Sequence, residues 1–308
     1  MFVFICVVTI FDHTCLMMGG KSMKVAILTD TNSGIYAEEA EQMGIFVMPM
    51  PVIIEDEIYY EGINLTEKEF LEALTAGKRV TTSQPVLGDL LDTWDRLLNE
   101  YDQVVYIPMS SGLSNSCSAA MAIAAEYEGR VFVVDNHRIS VTLRQSVITA
   151  KAMAVEEKDA EEIKTFLEAE AFHSSIYVSV NTLEYLKKGG RITPAAAMIG
   201  SVLSIKPVLT IQGEKLDSFA KIRGNMNKCE LRMLKAIKAD IQNRFSDVPE
   251  EHLHIGTAGA GLSPECKNEW MQMVKQAFPE ADVYYNHLSA SIATHTGPGV
   301  VGLGVSVF

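Results

Sequence analysis

Short apolar runs alternate with helical patterns over the first half of the chain. Runs of this kind predict buried strands, here at 25–28, 45–52, 104–109 and 130–135. Helical patterns lie between them, at 36–43, after 66, after 85 and from about 115 onward. Strands that alternate with helices usually pair in parallel, because each helix carries the chain back across the sheet. The first half therefore predicts a parallel α/β sheet.

The second half of the chain has a less regular order of elements. Strands are predicted at 175–180, 205–211, 215–221, 252–256 and 282–287 and at the C-terminus, with helices at 183–187, 195–203, 223–243 and 264–277. A long helical region at 141–171 precedes them. We expect an α/β protein of two domains: a Rossmann-like parallel-sheet domain at 23–170 and a mixed-sheet α/β domain at 171–308.

The first 22 residues do not fit either domain. They include an apolar stretch that is too short to span a bilayer and lacks the basic start of a secretory signal. Met23 then opens MKVAILTD, which has the pattern of a first strand. We expect residues 1–22 to be a non-native or disordered extension. Abundant peptides from this segment in mass spectra of the native protein would contradict that expectation.

Composition narrows the class of partner. The chain has 308 residues, 48% of them hydrophobic and 21% charged, and a formal net charge of −13. This charge disfavours nucleic acid as a partner and stable insertion into an anionic membrane. The five cysteines are scattered without a CxxC pair, which favours a reducing cytoplasm. His252 and His254 have no third ligand nearby, so no metal site is predicted.

The most informative stretch is the polar turn that follows the strand at 104–109. Four serines surround Gly112 there, just before a helix that begins near Asn115; they are Ser110, Ser111, Ser114 and Ser116. The N–H groups at a helix start carry partial positive charge and bind anions, and each hydroxyl can donate a hydrogen bond. For a single serine, simple N-capping by Ser111 or Ser114 is the better explanation. Four together indicate an anion site.

Three further polar turns are candidates for ligand contacts. They contain Thr29 and Asp30 after the first strand, Thr82 and Ser83 within 81–84, and His295 between Thr294 and Thr296 on a glycine-rich turn. Ligands of open α/β sheets bind at the carboxyl ends of strands, but capping residues in loops have the same composition. A hydrolase of small esters is the alternative function, with Ser114 or Ser110 as nucleophile and His295 as base. GLSNS is not the GxSxG elbow of such enzymes.

Taken together, these residues resemble the DegV family of bacterial fatty-acid-binding proteins. The motifs that carry the resemblance run in order from Met23 almost to the C-terminus: ILTDTNSG at 27–34, TSQP at 82–85, SSGLS at 110–114, VVD at 133–135, LKKGGRI at 186–192, IKPVL at 205–209, KIR at 221–223 and THTGPG at 294–299. Each motif is weak alone, but their order and spacing are specific.

The resemblance implies a non-catalytic, cytoplasmic carrier that buries one long-chain fatty acid and needs no cofactor. Its carboxylate would be held by Thr82, Ser83, Ser110, Ser111 and His295. Further candidates are Ser114, Thr294, Thr296, Thr29 and Asp30. The implied partner is a separate ATP-dependent fatty acid kinase that makes acyl phosphate for phospholipid synthesis, and Arg191 and Arg223 are candidates to contact phosphate or that kinase. An ordinary structural ion pair explains either arginine equally well.

The sequence departs from the family pattern at five positions near these motifs. Asn115 and Ser116 follow SSGLS in place of Gly-Thr, Val86 follows TSQP in place of serine, Asn136 follows VVD in place of serine, and Leu143 occupies a position where glycine is frequent. These departures bear on the fine geometry of the head-group site and on the preferred acyl chain.

Overall fold

The computed structural model describes residues 23–198 and 205–308. Its strands are β1 (Val25–Asp30), β2 (Phe46–Met48), β3 (Pro51–Ile54), β4 (Glu57–Tyr60), β5 (Val80–Thr82), β6 (Gln103–Ile107), β7 (Val131–Val133), β8 (Ser174–Ser179), β9 (Ile205–Ile211), β10 (Asp217–Arg223), β11 (Leu253–Ala260), β12 (Val283–His287) and β13 (Val300–Val307). Its α-helices are α1 (Ala37–Met43), α2 (Glu67–Thr75), α3 (Leu87–Leu97), α4 (Ser116–Ala124), α5 (Ser140–Val155), α6 (Ala160–Ala169), α7 (Glu184–Gly189), α8 (Pro194–Ala197), α9 (Met226–Asn243), α10 (Pro264–Ala277) and α11 (Ala290–Thr296).

The first half forms the predicted parallel sheet, with strand order β2-β1-β6-β7. All six residues of β1 are buried, because both faces of the sheet are covered. Successive side chains of β1 and β6 point to opposite faces of the sheet and pack into two different hydrophobic cores. One core holds Trp94 of α3 and Ala120 of α4, and the other includes Val147 of α5.

The predicted strand at 45–52 is divided between two sheets. β2 belongs to the parallel sheet, whereas β3 is the centre of a separate antiparallel sheet with order β4-β3-β5. Pro49 and Pro51 lie at the break, and proline cannot donate a ladder hydrogen bond. β3 and β4 form a hairpin, with Glu55 and Asp56 both at positive φ in its turn. β5 pairs with β3 and ends at Thr82.

The second half forms the predicted mixed sheet, with order β10-β9-β8-β13-β11-β12. Within it, β11 and β12 pair in parallel and the other neighbours are antiparallel. α9 and α10 cover one face around the buried Trp270. On the opposite face α5 packs against β11 and β13, and it also packs against β1 of the parallel sheet. The two halves therefore share a core.

Other predicted boundaries differ from the observed ones. The helical region at 141–171 is two helices, because Asp159 and Glu162 form a capping box that starts α6, and Glu157 has a positive φ. Four residues separate the end of α6 from the start of β8. The domain boundary predicted near residue 170 stays a prediction. The predicted helix at 195–203 lies partly outside the described residues. The segment 1–22 lies wholly outside them.

Over 23–198 and 205–308, no helix has the length and apolar character needed to cross a bilayer.

Candidate functional site

A cavity of about 480 Å³ lies between the mixed sheet, α11 and the turn that follows β6. Its volume is in the range of small-molecule sites. Polar residues in its lining include Thr82, Ser83, Gln84, Ser111, Ser114, Asn115, Arg191 and His295. Apolar residues in its lining include Met50, Met109, Ile139, Val141, Ile176, Val178, Ile211, Ala258, Leu288, Ile292 and Leu303. The cavity thus combines one group of hydrogen-bonding side chains with a long apolar wall.

His295 is the centre of the polar group. The sequence predicted it on a glycine-rich turn, and that prediction was wrong: it lies in the last turn of α11, which ends at Thr296 and has Gly297 as its C-cap. Ser289 caps the start of this helix, and the Glu61 carboxylate accepts a hydrogen bond from Ala290 N. His295 Nε2 lies 2.9 Å from Thr82 Oγ1. The hydrogen bond joins α11 to the end of β5.

The other edge of the imidazole contacts the end of α7. A Cβ atom built on Gly189 would come within 2.1 Å of His295 Nδ1, so a glycine is needed for this approach. Burial and the nearby Arg191 lower the pKa of His295 to about 4. The imidazole is therefore neutral near pH 7. When its proton is on Nε2, Thr82 Oγ1 accepts it, and the threonine keeps its own hydroxyl proton for a ligand.

Arg191 supplies the positive charge of the polar group. Its Nη1 donates to Gly189 O (2.5 Å) and its Nε donates to Leu113 O (3.3 Å). Among the described residues, no carboxylate lies within ion-pairing distance of its guanidinium. Its remaining N–H groups and its uncompensated charge suit an anionic ligand.

Several predicted residues lie elsewhere on the cavity wall. Ser83, Ser111, Ser114 and Thr296 line it together with Thr82, Arg191 and His295. Ser114 Oγ also accepts a hydrogen bond from Ser116 N beside the start of α4 (3.2 Å), but the N-cap residue is Asn115 and no side chain caps it. The Thr296 hydroxyl donates to Ile292 O (3.2 Å), which uses its proton within the helix. Ser114 therefore stabilises the serine-rich turn and lines the cavity, but it is not the N-cap of α4.

Other predicted residues do not line the cavity. Ser110 is fully buried, and its hydroxyl donates to Gly213 O (2.5 Å) and accepts from Gly112 N (3.1 Å). Thr294 donates to Ala290 O (2.8 Å) within α11. Arg223 is exposed at the end of β10. These three side chains hold turns and helices in place or face solvent.

Thr29 and Asp30 are likewise part of the fold. Thr29 Oγ1 donates to Ile107 O (2.8 Å) across the parallel sheet. The Asp30 carboxylate accepts from Asn32 N (2.8 Å) and Met109 N (2.9 Å), which ties the turn after β1 to the turn after β6. Burial raises the pKa of Asp30 to about 6, although these hydrogen bonds oppose that shift.

Sequence reasoning missed the wall residues and the glycine beneath the histidine. Gly189 was noted only as part of the LKKGGRI motif, and its contact with His295 joins segments more than a hundred residues apart. Ile176 and Val178 belong to a strand that was predicted, but a residue that lines a cavity has the same pattern as one in a packed core. No signal in the sequence distinguishes the two.

The structure lends no support to a Ser–His hydrolase. In the described parts of the chain, His295 hydrogen-bonds to a threonine and to no serine. Ser110, one of the proposed nucleophiles, is buried away from the cavity. In the same parts of the chain, no cluster of three or more His, Cys, Asp or Glu side chains is arranged to hold a metal ion.

Comparison with known proteins identifies close relatives of the whole fold. A family model described as "Uncharacterised protein, DegV family" matches residues 24–307. A DegV domain-containing protein of Streptomyces coelicolor is 31% identical over 287 residues, which cover 92% of this chain and 99% of that protein. A Deinococcus radiodurans relative is 28% identical with similar coverage, 92% and 98%.

Two solved structures are similar in fold. A DegV family protein from Thermus thermophilus, described by its fatty acid binding, superposes with a TM-score of 0.83 at 29% identity, covering 93% of this chain and 100% of that one. DegV from Bacillus subtilis, described as a fatty acid binding protein, has a TM-score of 0.79 at 27% identity, with the same coverage.

Proposed function

This chain belongs to the DegV family, and we propose that it binds one long-chain fatty acid in the cavity described above. The carboxylate would lie against Thr82, His295 and Arg191, with Ser83, Ser111 and Ser114 as further donors. The acyl chain would follow the apolar wall toward β8, β11 and β13. The observation that carries the proposal is the combination of an unpaired Arg191 and a neutral His295 in a cavity that also has an extensive apolar wall.

The polar group is suited to one carboxylate. A carboxylate removed from water is costly unless it is hydrogen-bonded and its charge is compensated. Arg191 compensates the charge, and the Thr82 hydroxyl donates a hydrogen bond while its oxygen accepts one from His295. Because His295 is neutral, the positive charge beside Thr82 is that of Arg191, and Lys215 is a second cationic side chain in the lining of the cavity. These cations can balance the charge of one carboxylate.

The apolar wall would supply most of the affinity. Each buried methylene contributes roughly 0.8 kcal/mol, so a long acyl chain contributes on the order of 10 kcal/mol before the costs of binding. Those costs include lost translational and rotational freedom and the ordering of the chain. A site of this kind should discriminate weakly between fatty acids that differ by a single methylene and strongly against short acids.

We further propose that the bound acid is presented to a separate ATP-dependent kinase. In that reaction a carboxylate oxygen of the acid attacks the γ-phosphorus of ATP, the bond to ADP breaks, and an acyl phosphate forms. The exposed Ser83 and Arg223 would face such a partner, and Arg191 would steady the charge of the transferred phosphoryl group. Hydroxylamine trapping tests this: acyl hydroxamate should form with ATP and an added fatty acid kinase, but not with this protein and ATP alone.

The fatty-acid proposal is tested by native mass spectrometry of the purified protein, followed by solvent extraction. We expect one stoichiometric fatty acid to be released and identified. A protein that is empty and that also fails to take up added oleic acid would contradict the proposal. The polar group would then need another ligand.

A further inference from the structure

The apolar wall of the cavity is one face of the mixed sheet, and its residues form rows across three strands. In one row Val178 of β8, Gly302 of β13 and Ala258 of β11 are direct register partners. All three line the cavity. This row, which we call the floor row, has a small residue or no side chain on two of its three strands.

The neighbouring row also contains glycines, but for a different reason. Gly304 and Gly256 are register partners two residues along the same strands. A Cβ atom on Gly256 would lie 2.6 Å from Val141 Cβ, and one on Gly304 would lie 2.6 Å from Val141 Cγ2. Val141 is fixed at the start of α5, where its carbonyl accepts a hydrogen bond from Tyr284 (3.0 Å). Glycine is required in this row because Val141 occupies the space above it.

Gly302 is not required by the packing of the protein. A Cβ atom at this position would meet its nearest neighbours at 3.7–3.8 Å, which is ordinary van der Waals contact. Its backbone is not in the left-handed region that favours glycine. Glycine within a strand destabilises the folded state relative to alanine and often marks a place where a ligand approaches the backbone closely. The space above Gly302 is therefore part of the cavity and is not filled by the protein.

We propose that Gly302 determines how long an acyl chain this protein accepts. The inference rests on the fatty-acid-binding function proposed above. The missing side chain at 302, beside the small Ala258, leaves room for the part of the chain that crosses the floor row. Shorter acids, which do not need this room, would bind without it. A side chain at 302 would compete with the acyl chain for the same space.

Two variants test the proposal on delipidated full-length protein, Gly302→Ala and Gly302→Val, with stearic and lauric acids as probes. We expect Gly302→Val to weaken stearic acid binding about tenfold or more, since its added carbons displace several methylenes. Lauric acid binding should change by less than about threefold. Gly302→Ala should show an intermediate loss for stearic acid, and its ligand-free melting temperature should equal or exceed that of the wild type. Stearic acid binding to Gly302→Val with wild-type affinity would overturn the proposal.

Two further comparisons separate the possible failures. Gly88→Ala is the matched control, because Gly88 lies in α3 with no atom within 4 Å of an added Cβ, and it does not line the cavity. An equal loss of affinity in Gly88→Ala, or a lower melting temperature for ligand-free Gly302→Ala, would contradict the role assigned to Gly302. A wild-type protein that binds neither acid would instead contradict the proposed function. If Gly302→Val does not fold, Gly302→Ala decides between these outcomes.

Discussion

Two groups of polar side chains in this protein have similar composition and different roles. The strand-end cluster consists of Thr29, Asp30 and Ser110, and the cavity cluster consists of Thr82, Arg191 and His295. Each contains one charged group and at least one hydroxyl. In the strand-end cluster the hydroxyls donate to backbone carbonyls and the carboxylate accepts from backbone N–H groups. In the cavity cluster Thr82 and His295 bond to each other, and Arg191 has donors to spare.

The difference shows what an anion site requires. The strand-end cluster has an acceptor at its centre, so it satisfies backbone N–H groups and joins two turns of the sheet. The cavity cluster has a surplus of donors and a net positive charge, because its histidine is neutral and its arginine has no carboxylate partner among the described residues. Polar composition alone does not distinguish the two; the balance of donors and acceptors does.

The largest expected effect is a loss of folding stability when Asp30 is removed from the strand-end cluster. Asp30→Ala leaves the N–H groups of Asn32 and Met109 without their acceptor in a fully buried place. We expect a loss of about 4 kcal/mol in the free energy of unfolding, from two unsatisfied buried donors. Urea unfolding measures it. Fatty-acid affinity of the molecules that remain folded should be unchanged, and a selective loss of affinity at full stability would contradict the structural role.

The next largest effect is a pH dependence of the free energy of unfolding, which originates in His295 of the cavity cluster. The pKa of His295 is about 4 in the folded protein and 6.5 in the unfolded chain, so the unfolded chain binds more protons between these values. Stability contributed by the neutral imidazole is therefore present above about pH 6.5 and is lost as the pH falls toward 4. The loss is about 3 kcal/mol. Asp30, whose pKa is raised to about 6, acts in the opposite direction over part of this range.

Because His295 and Asp30 change stability in opposite directions as the pH falls, the contribution of His295 has to be measured as a difference between two proteins. Urea unfolding at pH 7 and pH 4 is compared for the wild type and His295→Gln, in which the contributions of Asp30 and of the other carboxyls cancel. The wild type should lose about 3 kcal/mol more than the variant on acidification. Equal losses would mean that His295 does not titrate as its burial requires.

A smaller effect is expected from the charge of the cavity cluster. Arg191→Met should weaken fatty-acid binding by about 2 kcal/mol, roughly thirtyfold, because a buried carboxylate would lose its compensating charge. Calorimetric titration with oleic acid measures it. Arg223→Met is the matched control, since Arg223 is exposed on β10 and does not line the cavity. Equal losses in the two variants would show that the arginines act by general electrostatic attraction.

Much of the fold could be predicted from the sequence because each element carries a local signal. The parallel sheet followed from apolar runs separated by helical patterns, and the helical pattern after residue 66 corresponds to α2, which starts at a capping box of Thr66 and Glu69. Predictions failed where distant contacts decided the outcome. α11 includes His295, and its first turn is held by Glu61, which lies far away in the chain and accepts a hydrogen bond from Ala290 N.

The candidate site shows the same division. Hydroxyl-rich turns could be recognised in the sequence, but the use that each hydroxyl makes of its proton depends on the neighbour that folding brings. Ser110 and Ser111 are adjacent, yet Ser110 bonds to Gly213 and Ser111 lines the cavity. Nothing in the sequence marked the apolar wall as the lining of a cavity. Gly304, which the packing requires, and Gly302, which lines the cavity, occur in the same strand and cannot be distinguished by sequence pattern.

The smallest expected effect is a loss of fatty-acid affinity at Thr82 that Thr294, a similar residue in the sequence, should not show. Thr82→Val removes the hydroxyl between His295 and the proposed carboxylate while it keeps the shape of the side chain. We expect a loss of about 1 kcal/mol in oleic acid binding, about fivefold, since one hydrogen bond to a charged group is lost. Thr294→Val is the matched control: Thr294 bonds to Ala290 O within α11 and does not line the cavity. Its substitution should leave affinity unchanged. If Thr294→Val weakens binding as much as Thr82→Val does, both act through the position of α11, and the hydroxyl of Thr82 is part of the fold in the same sense as that of Thr29.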